Sequence, residues 1–359
     1  MFRGVARNVL AALVALGLLA ASTAAESAPT KVHIAVGTSV VNVSYAMLTL
    51  PGPLGYWKEE GLDVEFLPAG ASLQALQQMV AGNVEFAQIN ASVVLQANSK
   101  NGLPVRVAMA NGVIDWSVAV AEGGPIRSIA DLKGKTIGVF SLATGGINYL
   151  NSLLRRNGID PKDVRLVPLG LGAAPIQALK TGEVQGLLYW AAAVAGFENA
   201  GLKLHKLVGE DWHTYPDYSL AVMQGTLDKD PKTVIGVARA IAKATVFALA
   251  NPDCARRVQW KAYPAMKPSG ADEATLIRWD LNNEQAQLDT LKAGFELNGG
   301  KVWGHVDPGA FDRLSAFMVQ AKLIDKPVAG ASLIAHALEA EINRFDRAAI
   351  EASARACRF

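Results

Sequence analysis

GLDVEFLPAGASLQALQQMVAGNVEFAQINAS (residues 61–92) and GIDPKDVRLVPLGLGAAPIQALKTGEVQGLLYWAA (residues 158–192) are two versions of one segment. From Pro68 onward they align without gaps at an offset of 100: Pro68/Pro168, Gly70/Gly170, Gln77/Gln177, Gly82/Gly182, Val84/Val184 and Ala91/Ala191. Each reads as a strand, a turn, an amphipathic helix, a glycine that ends the helix, and another strand. Each is preceded by one more strand and helix. KVHIAVG (31–37) leads to the segment around Tyr45–Leu50, and KTIGVFS (135–141) leads to Ile147–Arg156. A β-α-β-α-β unit that occurs twice predicts an α/β protein with two Rossmann-like lobes, each built on a mostly parallel sheet.

Outward from the repeats, the chain crosses between lobes through MANGVIDWSVAVAEGG (109–124) and returns through YPDYSLAVMQG (215–225). These two crossing strands are the expected hinge, because no low-complexity linker separates the lobes. The expected division is 26–118 with 221–359 in the first lobe and an inserted second lobe over 119–220. The last third reads as helices near 231–250, 252–262, 271–297, 308–323 and 331–347.

The N-terminus decides the compartment. Arg3 and Arg7 precede an unbroken apolar run from Val9 to Ala20, followed by Ala21-Ser-Thr-Ala-Ala25. A charged start, a short apolar stretch and small residues make a secretory signal over 1–25. The alternative is an anchor, but the run is shorter than the roughly 20 apolar residues that span a bilayer, and no comparable run recurs. No cysteine lies near the cleavage zone to take a lipid. The chain has 34 basic and 32 acidic residues, so loss of Arg3 and Arg7 leaves a formally neutral mature protein. No Lys/Arg cluster remains to follow a phosphate backbone, which excludes nucleic acid as an expected partner. In an oxidising compartment Cys254 and Cys357 are expected to form a disulfide, the alternative being two buried thiols.

In open α/β sheets ligands bind outside the carboxyl ends of the strands. Applied to both lobes, this rule picks six loops. In the first lobe they are Thr38–Tyr45 (with Ser39), Ala69–Ser72 and Gln88–Ser92 (with Asn90). In the second they are Ser141–Asn148 (with Thr144, Gly145 and Gly146), Leu169–Ala173 and Tyr189–Ala192 (with Trp190). Thr38, Ser39, Tyr45, Ser72, Asn90, Ser92, Ser141, Thr144, Tyr189 and Trp190 are the candidate ligand contacts. Gly145 and Gly146 would let backbone approach a ligand at a helix start. Ser72, Ser92 and Thr144 are equally readable as helix N-caps. Asn111, Asp115 and Trp116 fall at the first crossing and Tyr218 on the return strand. Asn111, Trp116 and Tyr218 join the candidate set, with Trp116 equally readable as inter-lobe core. No Lys or Arg lies in any of the six loops, so the expected solute is neutral or singly anionic, and small or aromatic.

Catalytic signatures are missing. His33, His205, His213, His305 and His336 have no metalloprotease spacing, and no nucleophile elbow, P-loop or dinucleotide fingerprint is present. No cofactor or metal is expected.

LGYWKEEGLDVEF (54–66), QQMVAGNVEFA (77–87), IADLKGKTIGV (129–139) and ALKTGEVQGLLYW (178–190) together resemble substrate-binding proteins of ABC transporters, of the alkanesulfonate/nitrate/taurine-binding type. Two positions depart from that type: Gln185 stands where relatives often carry Asp, and Ala191 rather than a proline follows Trp190. The resemblance implies a type II periplasmic-binding fold with solute at the lobe interface. It also implies a periplasmic, monomeric, non-enzymatic protein that hands its solute to an inner-membrane permease. Two alternatives share the fold: a receptor for a membrane sensor, and pyrimidine-precursor synthases, whose Cys-rich motif this chain lacks.

Overall fold

A computed structural model describes residues 28–305, 307–335 and 338–359. The expected export segment 1–25 and His336 lie outside the described residues. Ten strands form two sheets: β1 Thr30–Val36, β2 Leu62–Pro68, β3 Phe86–Ile89, β4 Val105–Val113, β5 Trp116–Ala121, β6 Thr136–Val139, β7 Arg165–Pro168, β8 Gly186–Trp190, β9 Leu204–Leu207 and β10 Pro216–Met223. The longer helices are α1 Ser72–Val80, α2 Ala91–Asn101, α3 Gly146–Arg156, α4 Ala173–Thr181, α5 Ala191–Asn199, α6 Pro231–Ala250, α7 Pro252–Ala262, α8 Glu273–Leu297, α9 Pro308–Gln320 and α10 Arg347–Ala356.

The strand orders are β2-β1-β3-β10-β4 and β7-β6-β8-β5-β9. They are one order used twice. In each sheet the three repeat strands pair in parallel. The fourth strand is reversed, pairs antiparallel on both sides, and has just crossed from the other lobe. Four of five strands in each sheet therefore run the same way, and a doubly wound architecture results.

The crossings fall between Val113 and Trp116 and between Leu207 and Pro216. This moves the lobe boundaries from the expected 118 and 221. All of the return strand hydrogen-bonds within the first sheet, Ser219 facing Ile89 and Val222 facing Phe86. β9 is a further strand, to which the sequence analysis assigns no element.

One face of the first sheet (Val32, Ile34, Val36, Phe86, Leu220, Val222) packs against α6. By length and composition α6 could cross a membrane, but most of it is buried in this core. Its two interior charges are matched: Lys243 Nζ lies 2.6 Å from Glu59 and Arg239 Nη1 2.8 Å from Glu60.

The C-terminal third does not belong to one lobe alone. Asn199 Nδ2 on α5 donates to the carbonyl of Trp279 at 2.9 Å, tying α8 to the second lobe. On the first lobe, α8 nearly touches β4: a Cβ added to Gly294 would stand 2.8 Å from Gly112 Cα. That approach needs glycine on both sides, and it sets α8 across the first crossing.

The expected helix over 331–347 is broken. Ile334 bridges to Val107, and the Asn343 side chain pins this stretch to Trp303 by accepting from its N–H and donating to its carbonyl. Asp346 then starts a new helix, α10, by accepting from Ala349 N.

The Cys254–Cys357 disulfide is formed, joining α7 to the end of α10 across 103 residues. Chain entropy for a loop of that length gives about 4.7 kcal/mol. Reduction frees only a terminal helix, so local release limits the global cost. Replacing both cysteines by serine should lower stability by about 2 kcal/mol and the melting midpoint by roughly 3–5 °C. Circular dichroism melts check this, with solute affinity expected to stay unchanged.

Candidate functional site

The two sheets present their strand ends to one cleft, lined by Gly37, Tyr45, Ser72, Asn90, Asp115, Trp116, Thr144, Trp190, Asp217, Tyr218, Gln287 and Thr290. Both lobes and α8 contribute. The aromatic wall follows from register. Trp116 on β5 sits opposite Trp190 on β8, so the two side chains share a face and meet edge-on at 5.6 Å. Phe140 supports Trp190 at 5.4 Å. Across the cleft Tyr45 meets Tyr218 at 6.0 Å. Tyr218 has φ 42°, a strained left-handed conformation for a non-glycine residue, immediately after Asp217.

The polar floor rests on two aspartates with matching jobs. Asp217 Oδ1 accepts from Ala91 N at 2.8 Å and from the Tyr149 hydroxyl at 2.7 Å, while Oδ2 accepts from Asn90 Nδ2 at 2.8 Å. Asp115 Oδ2 accepts from Ala191 N at 3.3 Å and, weakly, from the Thr290 hydroxyl at 3.5 Å. Ala91 and Ala191 are the offset-100 pair of the repeat. Each crossing segment thus carries an acid that bonds the first residue of its lobe's helix after β3 or β8. The internal symmetry extends into the hinge.

Burial pushes both acids up. Asp217, only 1% exposed, rises to about 6. Asp115 rises to about 7, first through desolvation and then through the charge of Asp217. Desolvation also raises the hydroxyls of Tyr45 and Tyr218, keeping them neutral donors.

Contacts also run between the lobes across the cleft. Tyr149 of α3 reaches Asp217 of β10. Gln96 and Asn148 exchange amide hydrogen bonds at 3.1 and 3.2 Å. Leu73 N donates to Ala143 O at 3.4 Å, and the Ser92 hydroxyl donates to Gly145 O at 3.4 Å. With the lobes so engaged, the cavity is about 30 Å³, room for a water or two.

Of the residues expected to contact a ligand, Tyr45, Ser72, Asn90, Trp116, Thr144, Trp190 and Tyr218 line this cleft. The others sit elsewhere. The Thr38 hydroxyl bonds Val40 O within its own turn, and Ser39 is exposed on that turn. Asn111 donates to Gln88 and lines a separate small cavity beside Trp303. Ser141 accepts from Ala143 N. Tyr189 alternates to the opposite face from Trp190 and donates to Gly170 O at 2.6 Å. Ser92 and Gly145 work at the lobe contact rather than at the cavity, and Gly146 packs behind the Trp116 wall within the second lobe. A Cβ on Gly145 would stand 2.5 Å from Asn90 Cβ, and one on Gly146 would strike the Trp116 ring. Ser72 and Ser92 are not N-caps: Ala71 and Asn90 hold those positions, and Ser72 bonds Asn90 Oδ1 at 2.8 Å. Gly145 takes the N-cap position of α3, so Thr144 is not its cap either.

Asp217, Gln287 and Thr290 carry no flag in the sequence reading, and Asp115 is assigned no ligand role there. One signal exists for the acids: each crossing pairs an aspartate with a following aromatic, Asp115-Trp116 and Asp217-Tyr218. Among the described residues no group of three or more His, Cys, Asp or Glu side chains is placed to hold a metal ion.

Two like-ordered α/β sheets with aromatic and polar side chains meeting between them define a two-lobed, periplasmic-binding-type protein. The chain belongs to the NMT1/THI5-like family, whose pattern matches residues 44–255. It is 28% identical over 300 residues to a protein of Haemophilus influenzae provisionally named for thiamine biosynthesis, spanning 80% of this chain and 87% of that one. It is 24% identical over 313 residues to the riboflavin-binding protein RibY of Chloroflexus aurantiacus, spanning 86% of each. The alkanesulfonate-binding protein SsuA of Xanthomonas axonopodis pv. citri, solved with MOPS bound, superposes with a TM-score of 0.62 at 16% identity, over 85% of this chain and 98% of that one. An enzyme shares the fold as well: desulfurization enzyme DSZB, TM-score 0.53 at 16% identity, over 88% of this chain and 99% of that one.

Proposed function

We propose that this chain is an exported, monomeric solute-binding protein that captures a small ring-containing organic molecule in the periplasm. It then presents that molecule to an ABC permease in the inner membrane. The observation that carries this reading is the pairing of direct lobe-to-lobe hydrogen bonds with a cavity of only about 30 Å³. No organic ring enters that space until the lobes part. Among the described residues the two crossings are where the chain passes from one sheet to the other, so they are where parting would turn. Solute then binds one lobe first, and closure adds the donors and acceptors of the other. Relatives support the class: the similar RibY binds riboflavin, and an alkanesulfonate-binding protein shares the fold.

Titration with the true solute should shrink the radius of gyration in small-angle scattering, and the solute should be recovered chemically unchanged by mass spectrometry. An unchanged scattering curve at saturation would sink hinge closure. Conversion of the solute would favour the second reading, a catalyst on this fold, for which the carboxylate pair and the DSZB match are the motive. The acid pair also weighs against the singly anionic solute that cation-free, helix-opening loops point to.

A further inference from the structure

We infer that Gln259, a buried residue on α7 that does not line the cleft, is a positioning residue: it fixes the Tyr45 ring in the cleft wall before any solute arrives. This rests on the solute-binding reading above and names a residue that prepares that site.

Tyr45 sits on backbone that cannot hold itself firmly. It ends a three-residue 3-10 turn, Val43–Tyr45, and precedes a four-residue helix, Ala46–Thr49. Its φ of −92° and ψ of 35° belong to neither helix type. Elements this short gain little from their own hydrogen bonds, so groups from elsewhere decide where the ring points. Asn42 supports the turn from one side, its Oδ1 accepting from Ser44 N and from the Ser44 hydroxyl. The other support comes from α7.

The Gln259 amide brackets Tyr45. Its Nε2 donates to the carbonyl of Val43 at 3.0 Å and to the Thr49 hydroxyl at 2.9 Å, 216 and 210 positions earlier in the chain. The Thr49 hydroxyl in turn donates to the carbonyl of Tyr45 itself at 3.1 Å. A side-chain amide has two N–H donors, and both go to the segment that carries the ring. Just past the end of α7, the Tyr263 hydroxyl donates to the Thr49 carbonyl at 3.1 Å and extends the same grip.

Packing alone would favour a different residue at this position. Gln259 is fully buried, on the face of α7 that also buries Ala255 and Val258. Its Oε1 finds no hydrogen-bond partner among the described residues, so an apolar side chain of the same length would remove an unsatisfied acceptor. What only the amide supplies is the pair of donors to the Tyr45 segment. The ring so held has a defined task. Tyr45 meets Tyr218 at 6.0 Å, and their hydroxyls hydrogen-bond. Both residues belong to the first lobe, so the pair persists when the lobes part. A wall ordered in advance has less conformational freedom to lose when a solute binds.

Fluorine NMR of the mature protein labelled with 3-fluorotyrosine reads this position without any solute. Tyr45→Phe and Tyr218→Phe assign the two lines. Gln259→Met keeps the length of the side chain and removes both donors. It also removes the partnerless Oε1, so the melting midpoint should move little. The Tyr45 line should shift and broaden about 2-fold as the ring samples further positions, with Tyr218 following and Tyr149, Tyr189 and Tyr215 unmoved. Thr49→Val breaks only the relay to the Tyr45 carbonyl and should move the same two lines by less. It decides the question should Gln259→Met fail to fold. An unmoved Tyr45 line in the folded variant, or a displacement shared by all seven tyrosines, overturns the positioning inference and leaves solute binding intact. A screen in which no compound compacts the protein would instead overturn the solute-binding reading, with the fluorine result standing.

Discussion

Gly145→Ala should hold the cleft open and weaken solute binding by about 100-fold, while leaving the unfolding midpoint nearly unchanged. The new Cβ would lie 2.5 Å from Asn90 Cβ, 2.6 Å from its Oδ1 and 2.7 Å from its Cγ. Asn90 cannot swing away at low cost. Its Oδ1 accepts from Ser72, its Nδ2 donates to buried Asp217, and its Cβ is fixed to the backbone at the N-terminus of α2. Gly145 has φ −65°, so alanine strains nothing within the second lobe. The clash exists only between lobes. Overpacking of this kind costs about 1–3 kcal/mol, and a penalty near the upper end falls wholly on the closed state. Calorimetry gives the affinity and small-angle scattering the shape. The variant should keep the open radius at solute concentrations that compact the wild type. If it closes and binds normally, the Asn90–Gly145 contact is not part of closure.

The repeats were legible because each local choice agrees with the others. A strand, a positive-φ glycine (Gly70, Gly170), an amphipathic helix and a second positive-φ glycine (Gly82, Gly182) recur at fixed spacing. Such a pattern folds the same way twice. What escaped reading had no local signature. β9 is four residues, LHKL, with an exposed centre, and it becomes a strand only because β5 offers it an edge. Gln287 and Thr290 sit one turn apart on a 25-residue helix whose polar positions look the same whether they face water or a cleft. Tyr189 and Trp190 were equally eligible as wall residues until strand alternation sent one inward to Gly170. Asp217 lies in YPDYSLAV, where an acid at a strand start ordinarily meets solvent. Only the second crossing, laid against α2 and α3, turns it into a buried hub for Asn90, Ala91 and Tyr149.

The same acids make stability depend on pH in a definite direction. Asp217 and Asp280 rise to about 6 and Asp115 to about 7, in each case chiefly through desolvation. Glu284 on α8 is pushed well above the usual carboxylate range by burial. The charge of Asp280 one turn away adds to this, Arg256 works against it, and neither Glu284 oxygen has a hydrogen-bond partner. In the unfolded chain these groups titrate near 4, so between about pH 4 and 7 the folded state holds more protons. Their stabilising contribution is complete below the unfolded values and is lost as pH rises through the folded ones. For Asp217 alone, two pH units correspond to about 3 kcal/mol. Asp115 is partly exposed, and solvent screening reduces its share. Asp131, Asp272 and Glu351 are shifted downward and work oppositely, losing their contribution as the solution becomes more acid. The melting midpoint should therefore peak near pH 5 and fall by several degrees on going to pH 8. Glu284→Gln should raise the midpoint at pH 8, change it little at pH 5, and flatten the decline between them. It removes an ionisable group that does not line the cleft, so solute affinity should not follow. A wild-type midpoint that rises steadily from pH 5 to 8 would mean that these carboxyls are ionised and adequately solvated in the folded protein.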